Sequence, residues 1–591
     1  MVPDGKINIK KNIEANQAIK VSHTDALYKR SDYKNIEETK YFVIDSTFKH
    51  THQDRYYNDY ATQSLLMHNF SNQGPGLAVG DINGDGLEDV FVGGSYGFNS
   101  TVFYQNKKGD FVKKELPDTE LYEDEGALIF DANNDGALDL YVVSGGSERY
   151  DGHKCYQDRI YYNVNGNLQA GELPVMLTST STITGGDFDN DGDIDLFIGG
   201  RVVQGKYPTA PSSYILENNL GSFKDVTNTV CPFLNDAGMI TSAIWTDFDN
   251  DNHLDLIVVG EFMPITILKG TGKQLKNITK ESNLENSTGL WNSIQSGDFD
   301  NDGDIDFIAG NLGLNSTLKI NDGHPIKIDY ADFDNNGSID PIYSKYEEGH
   351  YYPIATLDQL IGQLPKIKKK FQYYNNFAKS TTEDILELFN MPSYNTLKAN
   401  ELRSSYIENL GNNKFSMSPL PMEVQIAPIN GILTEDINDD GLLDLLLVGN
   451  DYNTEVNSGR YDASIGHVLI NDGKGSFKLL NNKDSGFSII GDSKSIVKVQ
   501  IKNKSLILVG KNNAEITCLA EVSNLKNTIK PNKNEAFAKI TFQNGAIRKD
   551  ELNLGGGYLS QTSNIISVTP KMKTISFYDH LGKKTRSIDL K

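Results

Sequence analysis

The chain has 591 residues, with 56 Lys plus Arg against 79 Asp plus Glu and a formal net charge of −23. So acidic a surface repels phosphate backbones and excludes nucleic acid as a partner. The longest apolar run, residues 442–448, is broken by Asp444 and is far too short to span a membrane. Hydrophobic residues make up only 38%, yet aromatics reach 10% and there are 53 glycines, a mix that fits an all-β chain of short strands better than a disordered one. Cys155, Cys231 and Cys518 are odd in number and far apart, so they form neither a disulfide framework nor a zinc site. The opening Met1-Val2-Pro3-Asp4-Gly5 lacks a charged segment followed by an apolar one, so no signal peptide is expected there, and the abrupt start suits a piece of a longer chain.

In chain order, residues 1–70 form a polar extension with a single strand-like stretch at 40–48, expected to wrap the outside or to supply a closing strand. Residues 71–525 are dominated by a repeat, Asp-x-(Asp/Asn)-x-Asp-Gly-x-x-Asp, followed at once by a short apolar strand that usually ends in Gly. The copies place oxygen-bearing side chains at Asp81, Asn83, Asp85 and Asp89; at Asp131, Asn133, Asp135 and Asp139; and at Asp187, Asp189, Asp191 and Asp195. They continue at Asp247, Asp249, Asp251 and Asp255; Asp298, Asp300, Asp302 and Asp306; Asp332, Asp334, Asn336 and Asp340; and Asp436, Asn438, Asp440 and Asp444. A strand precedes each copy and two more often follow, so four short strands recur at roughly 50-residue spacing, the pattern of propeller blades. Residues 491–510 keep the strands without the acidic loop, and the Asp298 and Asp332 copies start only 34 residues apart, so seven or eight blades both fit. Residues 357–400 are expected to be helical, from apolar spacings at Leu357, Leu360, Ile361, Leu364, Ile367 and Phe371, with Pro365 breaking or kinking the run. Residues 530–591 are expected to form a small, separate β-rich domain with a turn at Gly555–Gly557.

The chemistry of the repeat is that of a hard divalent cation. Ca²⁺ takes six to eight oxygen ligands in a flexible shell. In a nine-residue loop, positions 1, 3, 5 and 9 can turn inward, a backbone carbonyl near position 7 adds a ligand, and Gly at position 6 allows the sharp turn. An EF-hand needs Glu at position 12, where this chain has Val92, Ile198 or Ala309. A single such loop reads equally well as a hairpin turn. Seven with the same spaced oxygens do not, because unpaired like charges repel. The loops contain 24 acidic ligands, about the size of the net charge, and seven Ca²⁺ would reduce −23 to −9. Loops of this kind sit at the weak, extracellular end of calcium affinity, roughly 10⁻⁴–10⁻³ M, which points outside the cytosol. The Asp247 copy departs from the pattern, with Asn252 where Gly is expected.

These loops resemble the FG-GAP (VCBS) repeats of integrin α-subunit propellers and of many secreted bacterial proteins. The phrase Gln73-Gly-Pro-Gly-Leu-Ala-Val-Gly-Asp-Ile-Asn-Gly-Asp-Gly86 is similar to the cartilage acidic protein group, and Gly555-Gly-Gly-Tyr-Leu-Ser-Gln561 resembles the ASPIC/UnbV domain that follows such propellers. The resemblance implies a calcium-stiffened propeller in an exported, cell-surface or periplasmic binding protein; it identifies no reaction.

If calcium stiffens one face, the loops that open on the other gather Arg201, Glu261, Asn311, Arg460 and Tyr461, with Trp291 nearby, as candidate ligand-binding residues. Aromatic and bidentate groups around a depression suit a glycan or a protein loop. No catalytic constellation is recognisable: Gly93-Gly-Ser-Tyr-Gly97 matches GxSxG without the helix that a nucleophile elbow needs. The leading expectation is a non-enzymatic, calcium-dependent binding module. The alternative is a polysaccharide lyase or hydrolase on the same scaffold, with Glu261 and Tyr461 or Arg460 as the acid–base pair, and a third is a structural repeat within a larger envelope assembly.

Overall fold

The computed structural model describes residues 41–502, 504–522 and 527–590, with short pieces at 6–7, 19–20, 22 and 28–29. Most of the extension before residue 41 therefore lies outside the described residues. Among the described residues, seven four-stranded antiparallel sheets have their first strands side by side in a closed ring. These inner strands are Leu77–Gly80, Asp124–Phe130, Ser179–Gly186, Met239–Thr246, Gly289–Gly297, Ile429–Glu435 and Ser493–Ile501. Both faces of each sheet are covered by its neighbours. Second strands are accordingly buried along their whole length, as in Asp255–Met263 and Asp444–Gly449, without the alternation of a half-exposed strand.

A separate apolar core fills each gap. Phe197 and Trp245 meet between the third and fourth sheets, Ile257 and Phe307 between the fourth and fifth, and Leu77 and Val497 between the first and seventh. The seventh sheet is the loop-less unit at 491–510. Its outer strand is Phe42–Ile44, paired antiparallel with Thr517–Glu521, so the N-terminal stretch closes the ring as its last strand.

The Asp332 copy does not belong to the ring. Residues 312–404 are inserted between the second and third strands of the fifth sheet, Asp306–Asn311 and Ser405–Asn409. They form their own sheet from Ile326–Ala331, Asp340–Glu347, His350–Pro353 and Asn395–Ala399, and the Asp332 loop turns its central hairpin. This explains the short spacing after Asp298. One face of that sheet packs on the ring through Ile326, Ile328 and Tyr343; the other carries the expected helices on Ile342 and Phe333. The helical run ends at Phe389, and the last part of the 357–400 stretch expected to be helical is instead the strand Asn395–Ala399, held by its pairing with Ile326–Ala331. The first helix, Leu357–Gln363, opens with a Thr356/Gln359 capping box, and the next, Ile367–Lys370, begins beyond Pro365.

The C-terminal segment has its own four-stranded sheet, with core residues Ile540, Ile575 and Phe577, but is not separate from the ring. Residues 553–563 enter the axis of the ring, where Leu554-Gly555 pairs with Thr184-Gly185 and Ser560-Gln561 with Leu77-Ala78. The Gln561 side chain spans the backbone N–H and C=O of Ile129 at 2.6 and 2.9 Å. Ser560 Oγ accepts from Ile496 N, and Ser242 Oγ donates to Gly556 O. Inner strands of a ring expose unpaired backbone groups to its axis, and this segment satisfies them. Its glycines have a steric cause: Gly555 has φ +80°, and a β-carbon there would lie 2.6 Å from Ile183 O.

Candidate functional site: a ring of acidic loops

Six of the seven loops join the first and second strands of ring sheets and open on one face. Each is built in the same way. In the first, Asp85 N and Gly86 N donate to the two carboxylate oxygens of Asp81, and Leu87 N donates to Asp85 Oδ1. The same three bonds recur around Asp131, Asp247 and Asp436. Position 6 has φ from +88° to +96° at Gly86, Gly136, Gly192, Gly303, Gly337 and Gly441. Asn252 takes φ +65° and makes the same turn, because Asn is the residue after Gly that best tolerates the left-handed region. The Asp247 loop is thus regular in shape despite its sequence.

The aspartate at position 9 has a second duty. It accepts from the loop's position-2 amide and from a backbone amide of the third strand: Asp195 from Phe188 and Asn218, Asp444 from Ile437 and Asn471. The third-strand asparagine then donates across the gap to the preceding sheet's loop. Asn163 reaches Ile82 O, Asn218 Ala132 O, Asn409 Phe248 O and Asn471 Phe299 O. This chain of clasps ties neighbouring sheets together. It was missed in the sequence, although its signal is present as an Asn closing the third strand in YYN, LEN, IEN and LIN.

Donor geometry fits a divalent cation. Three carboxylate oxygens lie within 4.8 Å of one another in Asp187/Asp189/Asp195, Asp247/Asp249/Asp251, Asp298/Asp300/Asp302 and Asp332/Asp334/Asp340. That spread matches the diameter of an oxygen shell at about 2.4 Å from its ion. Asp255 Oδ2 and Asp249 Oδ1 are buried with no hydrogen-bond partner. Burial pushes the position-9 carboxyls up, to about 7 in Asp89, about 8 in Asp195 and about 9 in Asp255. Holding such groups ionised requires a compensating charge. In the three loops led by Asp81, Asp131 and Asp436, Asn83, Asn133 and Asn438 replace one carboxylate by an amide oxygen, which lowers the charge and keeps a donor.

The C-terminal segment, its sheet and the residues leading into it, lies over this face with basic groups aimed at the loops. Lys533 pairs with Asp131, Lys530 Nζ is 3.7 Å from Asp81 and His580 Nε2 is 3.4 Å from Asp187. Lys549 donates to Asp247 O and Asn250 through Nζ and to Asp298 Oδ2 through its backbone.

On the opposite face, the inserted sheet and residues 58–73 close the axis. Arg201 and Glu261 meet there: Glu261 accepts from Arg201 at 2.5 Å, faces His68 Nε2 at 2.9 Å and accepts from Tyr207 OH at 2.9 Å. Burial raises the Glu261 pKa, but Arg201 and then His68 outweigh it and hold the carboxyl well below the usual carboxylate range. Tyr461 lines the same cavity, which is about 60 Å³, room for a few waters. Arg460 lies over the Tyr452 ring at 5.0 Å. Asn311 is fully buried and bonds the backbone of Leu290, Leu312 and Glu401. Trp291 belongs to the core between the fourth and fifth sheets and donates to Ser287 O. Ser95, in the GxSxG stretch, donates to Gln53 O.

Comparison with known proteins agrees with the loops. The FG-GAP-like repeat family matches residues 81–142, 131–198, 187–258 and 247–309. Cartilage acidic protein 1 of Xenopus tropicalis is 29% identical over 218 residues, 34% of this chain and 32% of that protein. The Mus musculus protein of the same name is 26% identical over 207 residues, 33% of this chain and 31% of the relative. The chain therefore spans about a third of the length of the relatives it matches. Among solved structures, the Vibrio cholerae biofilm matrix protein Bap1 has TM-score 0.31 at 10% identity, covering 81% of this chain and 92% of that one. The exotype rhamnogalacturonan lyase YesX has TM-score 0.37 at 11% identity, covering 82% and 76%. No helix among the described residues is long and apolar enough to cross a membrane. The chain carries four matched FG-GAP-like repeats and is a distant homologue of cartilage acidic protein 1.

Proposed function

We propose that the protein is a calcium-stiffened binding module that works outside the cytosol, on a cell surface or in the secreted fraction, and recognises a glycan or a protein. The observation that carries this reading is the repetition of one oxygen-donor set in seven loops, six of them on one face of the ring. Oxygen-only donors in a flexible loop select calcium over zinc or copper. Affinities of roughly 10⁻⁴–10⁻³ M would leave such loops empty in cytosol and filled outside it. A structural part in a larger envelope assembly is compatible with the same chemistry.

The non-enzymatic reading draws support from Glu261. A polysaccharide lyase or hydrolase needs an acid and a base that reach one reacting atom. Glu261 is instead fully engaged by Arg201, His68 and Tyr207 beside a cavity too small for a sugar ring. The test combines two measurements on the calcium-loaded chain. Excess EGTA should lower the melting temperature by 10 °C or more, because ion binding stabilises only the folded loops (about 2.7 kcal/mol per site at a hundred times Kd). An unchanged melting temperature sinks the calcium assignment. New saccharide chain ends released from a polysaccharide panel would overturn the non-enzymatic reading.

A further inference from the structure

The inserted module at 312–404 carries a groove that none of the motifs above explains. It is open, about 750 Å³, and runs between the end of the Asp340–Glu347/His350–Pro353 hairpin, the turn at 320–324 and the short helix Tyr374–Phe377. We propose that this groove binds a neutral oligosaccharide. The inference rests on the glycan arm of the function proposed above and gives that arm its location and ligand class.

Three observations carry it. The first is size: ligand sites are typically about 300–1,000 Å³, which the groove satisfies and the 60 Å³ axial cavity does not.

The second is a preorganised aromatic wall. Tyr346 and Phe377 line the groove on the helix-bearing face of the hairpin, while Tyr352, opposite Lys345 in the register, lines it from the other face. Tyr346 is stacked on His324 at 3.6 Å and 23° and meets Tyr351 edge-on at 5.3 Å, while its carbonyl accepts from Asn321 Nδ2 at 3.0 Å. Lys327 Nζ lies 3.5 Å over the Tyr351 ring and fixes the next layer. Rings held in this way lose little entropy when a ligand arrives. A pyranose presents C–H groups on its faces and hydroxyls at its rim, so it needs aromatic rings and hydrogen-bond acceptors side by side.

The third observation is charge. The acceptors at the groove are Asp322, Glu347 and Glu348, and the lysine among them, Lys345, is already paired with Glu347 at 2.8 Å. Asp322 and Glu348 are exposed and leave the rim net negative. Their oxygens accept from sugar hydroxyls, whereas a polyuronate or sulfated chain meets repulsion.

The experiment uses the full calcium-loaded chain. Laminarihexaose, cellohexaose, mannohexaose and maltohexaose serve as neutral probes, with hexagalacturonate and a heparin hexasaccharide as anionic ones. Calorimetric titration is paired with hydrogen exchange. At least one neutral hexaose should bind and protect residues 320–324, 345–353 and 374–380, and neither anion should. Phe377→Ala should weaken that binding at least tenfold. The surface variant Glu348→Gln, which cannot disturb the core, should weaken it severalfold with unchanged melting.

Neutral binding that both variants retain, or protection elsewhere, overturns the location while the glycan reading stands. Preference for either anion overturns the ligand class. Failure of all four neutral probes overturns this inference and leaves a protein ligand for the module.

Discussion

Gln561→Ala is the most direct probe of how the C-terminal segment is held in the ring. Gln561 is 4% exposed, and its amide closes a two-bond bridge to the backbone of Ile129, itself buried. Truncation removes both bonds and strands one N–H and one C=O on a buried inner strand. An unsatisfied buried group costs about 1–3 kcal/mol, so the pair should cost roughly 2–4 kcal/mol once some relaxation is allowed. At about 1.4 kcal/mol per tenfold, that corresponds to roughly 30- to 700-fold in an opening equilibrium. Urea unfolding gives the global value, and hydrogen exchange over 124–130 gives the local one. A midpoint unchanged within about 0.5 kcal/mol, with undiminished protection of the second sheet's inner strand, would refute the idea that the segment holds the ring by pairing its axial edges.

Asn218→Ala should cost about 2–4 kcal/mol in chemical unfolding, because Asn218 donates to Ala132 O at 2.8 Å and Ile194 O at 3.1 Å and accepts from Gly221 N; a loss under about 0.5 kcal/mol would remove the inter-sheet clasp. Asn252→Gly should be close to neutral and Asn252→Ala should destabilise by about 1 kcal/mol, since only the latter meets the cost of φ +65°; equal melting of the two variants contradicts this. Burial pushes the Glu125 carboxyl up to about 8. Between about pH 4.5 and 8 the folded chain holds a proton that the unfolded chain has released, so stability falls as pH rises through that window, by up to about 5 kcal/mol. Glu125→Gln should flatten the decline between pH 5 and 8.5, and an unaltered slope assigns it to other groups. Glu261→Gln should destabilise by about 3–5 kcal/mol by leaving the Arg201 charge buried without its partner, visible as a lower urea midpoint.

The nine-residue loops were legible in the sequence because their requirements are local. Spaced oxygens, a left-handed turn at position 6 and an apolar strand immediately afterwards all lie within a dozen consecutive residues. The same holds for the helical spacing from Leu357 to Phe371, which the core under the inserted sheet bears out. Asn252 shows the limit of a local rule: the letter departs from the pattern while the backbone follows it.

What only the tertiary structure decided is which copy goes where. The Asp332 loop has the same local chemistry as its neighbours yet sits in an inserted sheet, because pairing Asp306–Asn311 with Ser405–Asn409 depends on contacts nearly a hundred residues apart. Ring closure by Phe42–Ile44, the Gly555–Gln561 segment in the axis and the Arg201–Glu261–His68 hub are likewise long-range. In each of these, a buried backbone edge or charge finds its partner from a distant part of the chain. The sequence determined what each loop can hold; the requirement that every buried polar group be satisfied across the ring determined where the segments meet.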